Sequence, residues 1–276
     1  MRYLRLSAGD HRLLPAVVFV HGLMGYSFSW RHNLEFFARQ REVCAVDLLG
    51  MGHSDRPEPD AADFGLEAAA ARLLRLLRSL GHSQVDLVAT SHGGAVAMLA
   101  ASQDRASPRP MIRRLALIAP AHPFMSETHV QLASFLAPFG AMFSNGLASW
   151  GAALQDHAMG LMYSHESRIT AETRAGYAVN YGDARSYEYV QEVMRKWRAD
   201  MRQLQAALPS IASMHVLLLW GADDEMVSAS SGLELRKCFS YAKFLVLPGV
   251  GHLPYEEAPA EFNRCLLQFL GDPFVT

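Results

Sequence analysis

The chain is poor in charge. Of its 276 residues only 19% are Asp, Glu, Lys or Arg, the formal net charge is −2, and no long run of like charge occurs. Nucleic acid is thereby excluded as the main partner, because binding phosphates requires a basic surface. Cysteine is scarcer still: Cys44, Cys238 and Cys265 are scattered, odd in number and without metal-ligand spacing. They read as small buried hydrophobes and exclude a disulfide framework, which makes a reducing compartment the default. No segment reaches the roughly 18 uncharged apolar residues that a membrane span requires. The N-terminus, Met1 to Leu6, leads towards a strand instead of a long apolar signal core. Internal repeats and low-complexity tracts are absent as well. These absences predict a soluble, cytoplasmic protein with no membrane span, and they leave its oligomeric state open.

What the chain has in quantity is apolar surface to bury, half of its residues being hydrophobic. Its length suits one large α/β domain with an inserted subdomain and is short for two full domains. Apolar runs predict strands at Ala16 to Val20, Glu42 to Asp47, Val85 to Thr90, Arg114 to Ala119, His215 to Trp220 and Lys243 to Leu247. Leu4 and its neighbours add a candidate antiparallel edge strand. Helical spacing runs from Leu66 to Leu80 and from about Ala258 to Leu270. Strands alternating with helices imply an α/β fold with a mostly parallel central sheet flanked by helices. From Ala121 to about Pro209 the rhythm breaks. Helical patterns there are punctuated at Pro138-Phe139-Gly140, Ser144-Asn145-Gly146 and Tyr181-Gly182-Asp183. A simple loop of that length does not fit a compact domain, so the interval reads as a helical insertion. The predicted organisation is a core of residues 1–120 and 210–276 with a helical cap of residues 121–209.

Five segments carry candidate chemistry. In Leu87-Val88-Ala89-Thr90-Ser91-His92-Gly93-Gly94 a strand ends at a tight turn with Ser91 at its apex and a small-residue helix behind it. Such a turn needs a strained backbone and small neighbours, which Gly93 and Gly94 provide; Ala89 stands where the usual pattern has glycine. The helix N-terminus also favours negative charge developing beside the serine. Upstream, His21-Gly22-Leu23-Met24-Gly25 follows the strand Ala16 to Val20. Asp47-Leu48-Leu49-Gly50-Met51-Gly52-His53-Ser54 follows the next one; its glycines permit tight turns, and Asp47 and Ser54 can satisfy loop N–H groups. Near the C-terminus a buried strand runs into Gly221-Ala222-Asp223-Asp224, and Gly249-Val250-Gly251-His252 follows the last strand.

On these motifs, taken in this order, the chain resembles the α/β-hydrolase superfamily over nearly its whole length, as a capped, esterase-like serine hydrolase. The resemblance implies Ser91 as nucleophile, His252 as general base and Asp224 as the acid that orients it, each just after a strand. It implies an oxyanion hole from the backbone N–H groups of Leu23 and His92, with His21 fixing the loop, and it places the helical cap after the sixth strand. A serine nucleophile departs from the aspartate of epoxide hydrolases and haloalkane dehalogenases. The implied mechanism is two-step acyl transfer, needing neither metal nor organic cofactor. Counting from Gly221 selects Asp224 over Asp223.

The cap is rich in Met and aromatic residues: Phe124, Met125, Phe135, Phe139, Met142, Phe143, Trp150, Met159, Met162, Tyr163, Tyr177 and Tyr181. Together they imply an apolar, adaptable pocket. Met24, His122 and Met125 are the candidate substrate-binding residues, and Arg195-Lys196-Trp197-Arg198 reads as a solvated helix face. The expected partner is a small-molecule acyl substrate, an ester with an apolar acyl or alcohol part. Thioester, lactone and carbon–carbon hydrolysis, perhydrolysis, acyl transfer and a slow-turnover receptor remain open on the same triad.

Overall fold

The computed structural model describes residues 1–7, 14–125 and 150–271. Seven strands form its central sheet: β1 (Tyr3–Leu6), β2 (Ala16–Val20), β3 (Val43–Val46), β4 (Val85–Thr90), β5 (Ile112–Ile118), β6 (His215–Gly221) and β7 (Tyr241–Leu247). Their order is β1-β3-β2-β4-β5-β6-β7. β1 runs antiparallel to β3, with Tyr3 opposite Val46, and all other pairs are parallel. Every residue of β2, β3 and β4 is buried, as expected for strands covered on both faces.

The strand positions expected from the sequence hold, with their ends shifted by one or two residues. β5 starts at Ile112, paired with Val85, and β7 starts at Tyr241, paired with His215. Pairing here extends past the apolar run: Tyr241 and Lys243 are exposed on the edge strand, and the Tyr241 ring stacks on His215 with ring centroids 5.1 Å apart. The edge strand expected around Leu4 is β1. The inserted helices follow β5, the fifth strand among the described residues and not the sixth; residues 8–13, between β1 and β2, lie outside the described set.

The helices are α1 (Leu34–Ala38), α2 (Leu66–Ser79), α3 (Ser91–Arg105), α4 (Trp150–Met162), α5 (Ala171–Tyr181), α6 (Ala184–Ile211), α7 (Ala229–Arg236), α8 (Pro254–Glu257) and α9 (Pro259–Gly271). α2 buries the Leu66, Leu73 and Leu77 stripe. α3 is buried on nearly all sides, which its Gly and Ala content allows: it packs against the sheet, α2 and α6 at once. Among the described residues of the insertion (121–125 and 150–209) no strand occurs, and α4, α5 and the first half of α6 form the described part of the cap. The Tyr181-Gly182-Asp183 break separates α5 from α6, whose N-cap is the Asp183 side chain accepting the Arg185 N–H. The other two breaks, with Phe135, Phe139, Met142 and Phe143, lie outside the described residues.

α6 runs through Pro209 to Ile211. Proline there removes one bond to the Gln205 carbonyl, and both residues are exposed, so water can replace it. The C-terminal half of α6 lies on the core: Leu204, Leu208 and Ile211 are buried, and Ser210 Oγ donates to Ser102 Oγ at 2.7 Å. Leu204→Ala, which opens the α6–α3 seam at a fully buried position, should cost ~2–5 kcal/mol in urea unfolding. A change below ~1 kcal/mol would mean that this seam does not hold the long helix to the core.

Candidate active site

Ser91 sits where β4 turns into α3, with φ +51°. A residue with a Cβ in this left-handed region is strained by about 1–3 kcal/mol and persists only if its surroundings enforce it. Here they do. A Cβ on Gly93 would lie 2.2 Å from the His21 carbonyl oxygen, and one on Gly94 would lie 2.4 Å from Pro120 Cβ. Gly22 touches the serine itself, since a Cβ there would lie 2.9 Å from Ser91 Cβ. The departure at Ala89 is absorbed within the fully buried β4. Two further strained residues, Met24 (φ +58°) and Ala119 (φ +39°), follow the ends of β2 and β5 on either side of the serine. No sequence pattern singled out their backbones.

The loop after β2 is held by hydrogen bonds whose direction can be assigned. The Leu48 N–H donates to His21 Nε2 at 2.9 Å, so the ring carries its proton on Nδ1, which donates to the Gly22 carbonyl at 2.7 Å. Burial pushes this ring's pKa down, which keeps the acceptor nitrogen free of a proton. Asp47 accepts the N–H groups of Ser27 (2.7 Å) and His53 (2.9 Å), and Ser54 Oγ donates to the Asp47 carbonyl (2.6 Å). The buried Asn180 of α5 completes the frame: it accepts the Gly52 N–H at 2.8 Å and donates to the carbonyls of Met24 (3.0 Å) and Gly25 (3.1 Å). Sequence reasoning missed Asn180, a lone amide in a helix with no motif around it.

Asp224 and His252 meet at the ends of β6 and β7. Asp224 Oδ1 accepts the N–H groups of Met226 (2.8 Å) and Val227 (2.9 Å), while Oδ2 lies 2.8 Å from His252 Nδ1. A carboxylate only accepts, so Nδ1 holds the proton, and in the neutral ring Nε2 keeps a lone pair. Asp223 is exposed, and its backbone N–H is bonded to the Val250 carbonyl at 2.9 Å. The helix α7 is capped by Ser228 instead. Gly221 makes the meeting possible: a Cβ there would lie 2.1 Å from the carbonyl oxygens of both Val250 and Gly251.

Ser91, His252, Leu23 and His92 all line one cavity. It offers about 110 Å³ to the centres of water-sized groups, room for several carbon atoms. Met24 lines it from the core side, and Met125, Met162, Met194 and Trp197 from the inserted segment. In the run 195–198 the Arg195 side chain is exposed and Lys196 pairs with Asp63, but Trp197 faces the cavity. His122 is not among the described residues lining it. Its Nδ1 accepts the Phe124 N–H at 3.2 Å, so Nε2 carries the proton towards Ser231 Oγ at 3.2 Å. Both ring nitrogens are thereby engaged away from the cavity, and His122 ties the end of β5 to α7. Among the described residues no group of side chains has the make-up of a metal site.

Burial pushes the rings of His92 and His122 down to about 4 each, with His21 adding to the effect on His92. In the unfolded chain both titrate near ~6.5. Between these values the unfolded state holds protons that the native state does not. Their contribution to stability is therefore complete above about pH 6.5 and is lost as the pH falls through that window. His122→Gln, neutral at every pH, should flatten the fall in unfolding free energy between about pH 6.5 and 4 by ~1–3 kcal/mol relative to the unsubstituted protein. Identical slopes in the two proteins would show that the ring titrates in the fold as it does in water.

Comparison with known proteins agrees with this architecture. The family model described as the alpha/beta hydrolase fold matches residues 15–259. Epoxide hydrolase 4 of Mus musculus is 26% identical over 98% of this chain and 76% of its own length. The sn-1-specific diacylglycerol lipase of the same species is 25% identical over 93% of this chain and 81% of its own. Among solved structures, an alpha/beta hydrolase enzyme from a Medee basin deep-sea metagenome library superposes with a TM-score of 0.82 at 18% identity, covering 100% of this chain and 95% of that one. An alpha/beta hydrolase fold protein from Burkholderia ambifaria gives a TM-score of 0.78 at 24% identity, over 96% and 93% of the two chains. With a model match spanning most of its length, a cap inserted after β5 and a mostly parallel sheet, the chain belongs to the α/β-hydrolase fold family.

Proposed function

We propose that the chain is a serine hydrolase cleaving an ester bond of a small, uncharged, largely apolar substrate. The observation that carries this reading is the buried His252–Asp224 pair opening, with a strained serine, onto one cavity. In the proposed reaction Ser91 Oγ attacks the ester carbonyl as its proton passes to His252 Nε2. Asp224 holds the ring in the tautomer that leaves Nε2 free and stabilises the imidazolium. The N–H groups of Leu23 and His92 stabilise the tetrahedral oxyanion, helped by the N-terminus of α3. The imidazolium then protonates the leaving alkoxide, and a water activated by the same ring releases the acid. No metal or organic cofactor enters this scheme. Residues 121–209 act as the cap and residues 1–120 and 210–276 as the catalytic core.

The names of the relatives point two ways, to epoxides and to a diacylglycerol ester. Serine at the turn favours the ester, because a serine nucleophile suits an acyl centre and stands where the superfamily's epoxide hydrolases use aspartate. Charge narrows the class further. No lysine or arginine occurs between Arg114 and Arg168, and none is among the described residues lining the cavity. A carboxylate on the substrate would be buried there without a counter-ion, at a cost of several kcal/mol.

A fluorophosphonate should label Ser91, and Ser91→Ala should lower kcat by ~10⁴ or more in a folded protein. Epoxide turnover that survives this substitution would replace the ester reading. Asp224→Asn should lower kcat by ~10³–10⁴ by reversing the hydrogen-bond demand on the imidazole, while Asp223→Asn stays within about tenfold. A larger loss at Asp223 would move the acid by one residue. p-Nitrophenyl octanoate should be cleaved with a kcat/KM at least ~100-fold above that of its ω-carboxylate analogue. Equal rates would show that a cation reaches the cavity.

A further inference from the structure

The consecutive backbone N–H groups of Gly251 and His252 are held from outside their own loop. His252 N–H donates to the Met162 carbonyl at 2.7 Å, at the end of α4. Gly251 N–H donates to Glu257 Oε1 at 2.8 Å. The other oxygen of this carboxylate reaches the cap: Oε2 accepts the Ser164 N–H at 2.9 Å and lies 2.8 Å from Ser164 Oγ and 3.1 Å from Arg168 Nη1. Arg168 Nη1 also donates to the Gly249 carbonyl at 2.7 Å, so the cap turn meets the loop of His252 directly at Gly249 and His252 and through Glu257 at Gly251. The Glu257 side chain is fully buried, and the fit leaves no slack: a Cβ on Gly251 would lie 2.6 Å from the Met162 carbonyl oxygen and 2.7 Å from the Ser164 nitrogen. Met162 at the same time lines the cavity.

We propose that Glu257 is a positioning residue for His252, joining the cap turn 162–168 and the loop of the base into one frame. The inference rests on the reading of His252 as general base. A buried carboxylate that divides its two oxygens between the base loop and a cavity wall fixes the distance between them. Without it the Gly251 and Ser164 N–H groups lose their acceptor, Arg168 loses its carboxylate partner, and the loop relaxes away from Asp224. The other charged groups facing this loop are Asp224, from the turn after β6, and the neighbouring Glu256, which Arg31 pairs at 2.8 Å. Neither of them contacts the 162–168 backbone in place of Glu257.

Glu257→Gln tests this, since it keeps size and one acceptor oxygen but cannot serve Gly251, Ser164 and Arg168 together. Its kcat on p-nitrophenyl octanoate should fall by about 10-fold or more with KM within about threefold of the unsubstituted value. The low-field proton resonance of His252 Nδ1–H, bonded to Asp224, should shift or broaden, with circular dichroism unchanged. A kcat that stays within about twofold, or one that falls while the resonance stays in place, overturns the proposal. Should Glu257→Gln not fold, Ser164→Ala removes a single partner of the carboxylate and should move kcat and the resonance in the same sense by a smaller amount. No movement in either overturns it. The resonance is read without substrate, so a protein that cleaves no ester but whose Nδ1–H signal moves in Glu257→Gln loses the ester reading and keeps the coupling.

Discussion

The close approach of the first turn of α3 to the ends of β2 and β5 sets the geometry of everything around Ser91. Gly93 lies against the His21 carbonyl and Gly94 against Pro120, at separations that leave no room for a single methyl group. Packed this tightly, the turn has one conformation open to it, and that conformation places Ser91 in the left-handed region. The strain of a few kcal/mol is offset by the surrounding core, where β2 and β4 are buried along their whole length. The positive φ angles at Met24 and Ala119 belong to the same packing problem, since both residues leave strands that flank the serine. Backbone strain is thus concentrated where three strand ends and one helix start converge.

Around that point, three of the four histidines buried among the described residues have fates assigned by their neighbours. His21 meets a backbone N–H at Nε2 and becomes a structural strut. His122 meets a backbone N–H at Nδ1 and becomes a tie between β5 and α7. His252 meets a carboxylate at Nδ1, which turns its lone pair towards the cavity. The residue type is the same in each case; an amide donor consumes the lone pair, whereas a carboxylate acceptor frees it. This is why a histidine after the fifth strand, well placed by sequence position, does not line the cavity.

That difference also explains how much could be read from the sequence. The strands were legible because a sheet covered on both faces demands continuous apolar runs, and the Ser91 turn because its small residues stand at fixed short spacings from the serine, although the contacts that impose them, at His21 and Pro120, are distant along the chain. Asp224 was separable from Asp223 by its spacing from Gly221, and the steric closeness of Gly221 to Val250 and Gly251 supplies the physical basis of that spacing. Asn180, Glu257 and the inward turn of Trp197 were not legible. Asn180 reaches Met24 and Glu257 reaches Ser164 across long stretches of sequence, each through one side chain, Trp197 turns into a cavity built from many segments, and no local periodicity marks such contacts. Trp197 was hidden further by the charges beside it, which a helix sends to its opposite face.

The scarcity of charge that marks the composition has its physical counterpart in the cavity. Where a cavity wall carries methionine and aromatic side chains and no lysine or arginine among the described residues, the local dielectric is low and fixed dipoles act at greater strength than in water. In the proposed reaction, backbone N–H groups at a helix start stabilise a transient oxyanion there more strongly than they would in water. The same surroundings penalise any permanent charge that enters. In the proposed reaction these two consequences are inseparable: the apolar wall that strengthens the dipoles around Ser91 also confines the site to substrates that are neutral before attack and carry charge only at the reacting carbonyl. A cation introduced into the wall to admit anionic substrates would therefore weaken discrimination against them and, by drawing water in, the stabilisation of the oxyanion as well.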